Sequence, residues 1–126
     1  MPKLSLPENT RSTSVYVPIY GLYVYFYVNP NIQSAYDFAC TQHKGLKEME
    51  TAKHEAGVTY VLDGVNIVLL QDFKDMGILV HELVHVASNI FEYICAEHNE
   101  ETDEFYAYMV EFLYDESTRA LKNVRN

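Results

Sequence analysis

The stretch DFKDMGILVHELVHVASNIF, Asp72 to Phe91, decides how the rest of the chain is understood. Within it His81 and His85 are four residues apart, so on a helix they stack on one face, with Glu82 beside them. This is a complete HExxH pattern, and its chemistry follows from that placement. Two imidazole nitrogens can bind one zinc ion, whose tetrahedral shell leaves a position for water, and the adjacent carboxylate can take a proton from that water. A chain of this composition in random order carries such a pattern with a frequency of roughly 0.02, so the surroundings must support it. Ile78, Leu79, Val80, Leu83, Val84, Val86 and Ala87 make the stretch apolar on nearly every side, and the expectation is a helix buried within the domain. Three ionisable groups within five residues of such a helix need partners, because unpaired buried charges are expensive, and a metal ion is the common partner. Two core histidines satisfied by hydrogen bonds are the alternative.

Immediately before this stretch stands GVTYVLDGVNIVLLQ, residues 57–71. Asp63 and Gly64 supply the positive φ angles of a tight type I′ turn, so a β-hairpin is expected, with Val65 to Leu70 leading into the motif helix and Val58 to Leu62 as its outer neighbour. Asp72, three residues before Asp75, is placed to cap the helix. After the helix, Ala96 to Asp103 is a loop, and a last helix runs from Asp103 or Glu104 to Lys122. Its expected core stripe is Phe105, Tyr108, Met109, Phe112 and Leu113, and Lys122 near its end suits the helix dipole.

Further upstream, TSVYVPIYGLYVYFYV from Thr13 to Val28 is rich in Tyr and Val, a strand signal interrupted at Pro18 and Gly21. Either an edge strand feeds a central one, or a short hairpin turns near Tyr20 and Gly21. Ile32 to about Lys53 repeats apolar residues at helical spacing, weakened at Gly45, and is expected to be a crossover helix. Residues 1–12 are a polar arm, and residues 13–126 form a single domain; 48% of the whole chain's side chains are apolar, enough for one core. The fold class expected is α+β, a small mixed sheet with helices.

Nine basic residues against eighteen acidic ones argue against a nucleic-acid surface. The polar start lacks the apolar run of a signal peptide, and no segment reaches the length of a membrane span, so a cytoplasmic location is expected. Cys40 and Cys95 fit that compartment as reduced thiols. His43 and His54 are expected at the surface and His98 in a loop.

A working zinc site has three protein ligands, and the last helix is the place to seek the third. Glu97, Glu100, Glu101, Asp103 and Glu104 are the acidic candidates. Glu104 is preferred, because it opens the helix and is followed at the third position by Ala107, small enough to let two helices approach. Glu100 and Glu101 fit a solvated acidic loop.

The sequence here resembles the gluzincin metallopeptidases, whose HExxH is followed downstream by a glutamate ligand on a second helix. The matching residues are His81-Glu82-Leu83-Val84-His85, eighteen intervening residues, then Glu104-Phe105-Tyr106-Ala107. Spacing and ExxA context look like the aminopeptidase-type branch, over roughly residues 75–113, and the compact build looks like that of small bacterial or phage zincins. The resemblance implies a minimal zincin-like fold: the mixed sheet packed on a crossover helix and an active-site helix, plus a C-terminal helix. It implies zinc held by His81, His85 and Glu104, and Glu82 as the general base of peptide hydrolysis. It also implies that residues 58–62 are the edge strand that pairs with an extended peptide or protein substrate. Some gluzincins carry an aspartate four residues after the glutamate ligand, where this chain has Tyr108. The lower subdomain of larger relatives has no counterpart, which points to a protein partner completing the cleft. Tyr106, Tyr108 and His98 are the candidates to stabilise an oxyanion. Hydrolysis of another amide fits the same residues, and the alternative of a different class is a non-catalytic interaction module, zinc-stabilised or zinc-free, that binds a protein partner. Glu82 argues against that alternative, since a structural site has no use for a base.

Overall fold

The structure is a computed structural model that describes residues 6–49 and 55–124. The Tyr/Val-rich stretch forms two strands, β1 (Arg11–Val17) and β2 (Leu22–Val28), joined by a turn through Pro18 and Gly21. The hairpin alternative is therefore the one realised. They pair antiparallel with Val17 opposite Leu22, and Gly21 takes a φ of 65°, a left-handed conformation that glycine adopts without strain. β1 begins inside the expected arm, and Leu6 and Thr10 are also tied down. The buried Asn29 donates from Nδ2 to the Leu6 carbonyl at 3.1 Å and to Thr10 Oγ1 at 3.0 Å. Residues 1–5 lie outside the described part.

Helix α1 (Ile32–Gln42) is capped by Asn31, whose side chain accepts from the Ser34 amide at 3.1 Å. It ends well short of Lys53. Gly45, at φ 98°, turns the chain, and a 3-10 turn at Leu46–Glu48 drops Leu46 into the core. The Tyr36 hydroxyl lies 3.1 Å from the carbonyl oxygens of both Leu46 and Met49 and shares its one proton between backbone groups a longer helix would have paired itself. The remainder of the expected helix, residues 50–53, falls outside the described residues.

The expected hairpin is present as β3 (Gly57–Leu62) and β4 (Val65–Leu70), with Asp63 at φ 48° and Gly64 at φ 84° in its turn. β4 also pairs parallel with β2, so the sheet is mixed and its order is β1-β2-β4-β3. Helices α2 (Met76–Tyr93) and α3 (Asp103–Lys122) complete the α+β fold. α1 packs on one face of the sheet against Tyr27, Ile67 and Leu69. α2 and α3 cover the other face, over Val24, Phe26, Val68 and Leu70. Strand β2, LYVYFYV, explains this sandwiching. Its Leu, Val and Phe side chains alternate onto the two-helix face and its tyrosines onto the α1 face, so the strand is apolar on both sides. No helix among the described residues is long and apolar enough to cross a membrane.

Two expectations about the helices are corrected. α2 is not buried all round: Leu79, Leu83, Val86, Ala87 and Ile90 face the sheet, while Val80 and Val84 are 38% and 40% exposed. In a chain this small the sheet can cover one side of a helix only, so apolar residues reach its outer side. The α3 stripe is also shifted. Tyr106, Met109, Leu113, Ser117 and Leu121 are buried, whereas Phe105 is 40% and Tyr108 60% exposed. Both stripes keep the 3.6-residue period and share Met109 and Leu113, and the packing of Tyr106 on α2 turns the helix so that Phe105 and Tyr108 fall on its outer side.

Candidate functional site

α2 carries the HExxH residues on the flank that faces β3. Its cap is Asp75, whose Oδ1 accepts from the Ile78 amide at 3.2 Å. Asp72 instead accepts from the Lys74 amide at 2.9 Å in the turn before the helix, correcting the expected cap. Beyond the cap, the helical period puts Leu79 and Leu83 against the sheet, Glu82 at the buried margin, and His81 and His85 in the open.

The Nε2 atoms of His81 and His85 are 3.3 Å apart, with the rings near perpendicular at 76°. Metal–nitrogen bonds of about 2.0–2.1 Å at tetrahedral angles place two nitrogens about 3.3–3.4 Å apart, a spacing that this pair matches. One ring N–H also meets the other ring's lone pair at this distance.

Glu82 is 5% exposed. Its Oε1 accepts from the Thr59 hydroxyl at 2.7 Å, and among the described residues its Oε2 has no hydrogen-bond partner. Thr59 lies on β3, and its role could not be seen without the strand register that aims it at α2. Gly57, on the same side of β3, leaves room for the carboxylate. A Cβ there would stand 2.8 Å from Ile78 Cγ2 and 3.3 Å from Glu82 Oε2. The sequence offered no signal for either residue beyond the alternation of the strand.

Between β3 and α2 opens a cleft of about 430 Å³, lined by Gly57, Thr59 and Val61 on the strand and by His81, Glu82, His85 and Asn89 on the helix. Asn89 is held from behind, donating from Nδ2 to Oδ1 of the buried Asn66 on β4 at 2.8 Å. Because β3 ends the sheet order, its outer edge is unpaired among the described residues. The two-residue turn makes Leu62 and Val65 a hydrogen-bonded pair, so Tyr60 and Val58 also bond to β4. Gly57, Thr59 and Val61 therefore direct their main-chain groups to the open edge, and Thr59 and Val61 also turn their side chains to the cleft.

Glu104, the expected third ligand, sits exposed in the first turn of α3 and does not line the cleft. Among the described residues, no group of three or more His, Cys, Asp or Glu side chains is placed to hold a metal ion. The histidine pair is brought together, and Glu104 is not brought to it. Glu104 is exposed and has no hydrogen-bond or ion-pair partner among the described residues. The start of α3 is nevertheless anchored beside the motif. Tyr106, two residues on, donates its hydroxyl to the Val84 carbonyl at 3.0 Å and lies 2.8 Å from Ser88 Oγ.

That engagement changes the candidates for oxyanion stabilisation. Tyr106 is buried with its hydroxyl on α2, and His98 lies flat on the Tyr106 ring at 3.9 Å with Nε2 2.8 Å from Asp103 Oδ1. Tyr108 faces solvent. None of the three lines the cleft. Glu97, Glu100, Glu101 and Asp103 are exposed, as expected of a solvated acidic loop.

His43 is not a plain surface residue. It is half-buried at the end of α1, where its Nε2 meets the Tyr27 hydroxyl at 2.7 Å on the opposite face of the sheet from the cleft. Burial lowers its pKa, and burial followed by the nearby Tyr25 pushes the Tyr27 hydroxyl up to about 12. His54 lies outside the described residues. Cys40 and Cys95 are free thiols. Comparison with protein-family models, with curated proteins and with solved structures gives no match.

Proposed function

We propose that this chain is a gluzincin-type zinc metallopeptidase whose active site is the cleft between β3 and α2. The observation that carries the reading is the His81–His85 pair, whose 3.3 Å nitrogen spacing suits one zinc ion, next to a carboxylate that is buried yet lines the same cleft. His81 and His85 would hold the metal, and Glu104, exposed and unengaged, is the proposed third ligand. Bound zinc supplies Lewis acidity to a water molecule and to a carbonyl oxygen.

The chain's own residues do the rest. Gly57, Thr59 and Val61 offer main-chain donors and acceptors to an extended peptide, which joins the sheet as an added strand and lies along the cleft. Glu82, at the cleft margin, takes a proton from the attacking water and returns it to the leaving amine. The buried setting of Glu82 holds it in one place without a solvent shell to displace.

The second reading, a non-catalytic interaction module, draws its support from the lack of a three-donor group among the described residues. Elemental analysis separates the peptidase from a zinc-free module, and turnover of peptides separates it from a zinc-stabilised one. The peptidase reading expects about one zinc per purified chain and its loss from Glu104→Ala. Zinc absent from the wild type, or retained in full by Glu104→Ala, overturns the assigned ligand set.

A further inference from the structure

Glu82 is held by a single side-chain partner among the described residues, and that partner comes from the neighbouring strand rather than from its own helix. Thr59 Oγ1 stands 2.7 Å from Oε1 and 3.4 Å from the Glu82 main-chain carbonyl, so the hydroxyl sits against both ends of the same residue. With one proton to give, it donates to the carboxylate, the shorter and charge-assisted bond. Oε1 is thereby occupied, and Oε2 is left as the free basic oxygen.

The rest of the strand is consistent with that division. Gly57 has no Cβ where one would stand 3.2 Å from Glu82 Cγ and 3.3 Å from Oε2, so the lane beside the free oxygen is kept clear. Thr59 is also one of the residues whose main chain faces the open edge. A peptide bound there would lie against the residue that aims the base.

We propose that Thr59 is the positioning residue of Glu82: its hydroxyl fixes one carboxylate oxygen so that the other faces the reacting water. This rests on the peptidase reading. Thr59 is not a catalytic residue, since it touches Glu82 and not the reacting atoms. Strand docking thus couples to base alignment through one side chain.

The test compares Thr59→Val, which keeps shape and β-branching but loses the hydroxyl, with Thr59→Ser, which keeps the hydroxyl. Both are made in the wild type and in Glu82→Gln, and zinc-loaded proteins are assayed on a peptide library. Thr59→Val is expected to lower kcat about 10- to 100-fold with KM and zinc content unchanged, as misalignment of a reacting group does. Thr59→Ser should retain wild-type kcat. In the Glu82→Gln background Thr59→Val should have little further effect, because the two substitutions act through the same carboxylate. Crystals of metal-free Thr59→Val should show the Glu82 carboxylate displaced from its wild-type position. A hydrolase whose kcat is indifferent to Thr59→Val, or equally sensitive in both backgrounds, or a Glu82 side chain unmoved in those crystals, overturns the positioning role alone. A wild type that hydrolyses no peptide overturns the peptidase reading and the positioning role with it.

Discussion

The imidazoles of His81 and His85 face each other across 3.3 Å on the open flank of α2. In the free protein that contact is a hydrogen bond; with zinc present the same two nitrogens would close on the ion with little side-chain movement. Zinc should therefore stabilise the folded chain. At a free concentration about 100 times the dissociation constant, linkage gives about 2.7 kcal/mol, read as a rise in melting temperature. His85→Ala should lose that rise, and a rise of equal size in the variant would remove the pair from the metal site.

Helix capping offers a check on the motif helix itself. Asp75→Ala should lower stability by about 0.5–2 kcal/mol, because the Ile78 amide loses its acceptor. Asp72→Ala, which removes only a turn contact to Lys74, should have a smaller effect in urea unfolding. The reverse ranking would place the helix start one turn earlier.

At Gly64 the β3–β4 turn has no room for a side chain. A Cβ at Gly64 would come within 2.5 Å of Tyr93 Cε1, at a φ of 84° that disfavours any residue but glycine. Gly64→Ala is expected to destabilise by about 1–3 kcal/mol, the range for a residue held in a sparsely populated conformation. Adding Tyr93→Ala should recover the part due to the collision and leave the part due to φ.

Stability should also bend with pH at the Tyr27–His43 contact. His43 titrates below its ordinary 6.5 because it is half-buried, so the unfolded chain binds that proton more readily. Its contribution is complete above about pH 6.5 and declines as pH falls through the lowered value. Tyr27 has the opposite sign. With its hydroxyl raised to about 12, its contribution is complete below about pH 10 and is lost as pH rises through the folded-state value. Denaturation of His43→Gln and wild type at about pH 7.5 and 5.5 should show a shallower acid loss in the variant. Equal losses would mean that His43 is neutral to folding.

The elements that the sequence specified locally are the ones that came through. Asp63-Gly64 dictates its turn because few other residues accept those φ angles, and the Tyr/Val-rich run LYVYFYV, with aromatics on its faces, dictates a strand. What escaped was set by tertiary context. The end of α1 depends on Gly45 and on Tyr36 reaching the Leu46 carbonyl, and the face of α3 depends on Tyr106 finding α2. At the candidate site, His81, Glu82 and His85 were legible because four-residue spacing is a property of the helix alone. Thr59 and Gly57 were not, since only the packing of β3 on α2 brings them to Glu82. Glu104 was preferred because it opens the last helix with Ala107 three residues on, features that bear on where α3 begins and not on where its first carboxylate points.

The central claim is that the β3–α2 cleft hydrolyses peptides with Glu82 as the base, and the most direct measurement is turnover of a peptide library by zinc-loaded wild type and Glu82→Gln. The substitution is nearly isosteric and spares both histidines, so zinc content should stay the same. Turnover should fall about 10²- to 10⁴-fold, the usual worth of a positioned base. Equal turnover by the two proteins, or none by the wild type at full zinc occupancy, would contradict the account.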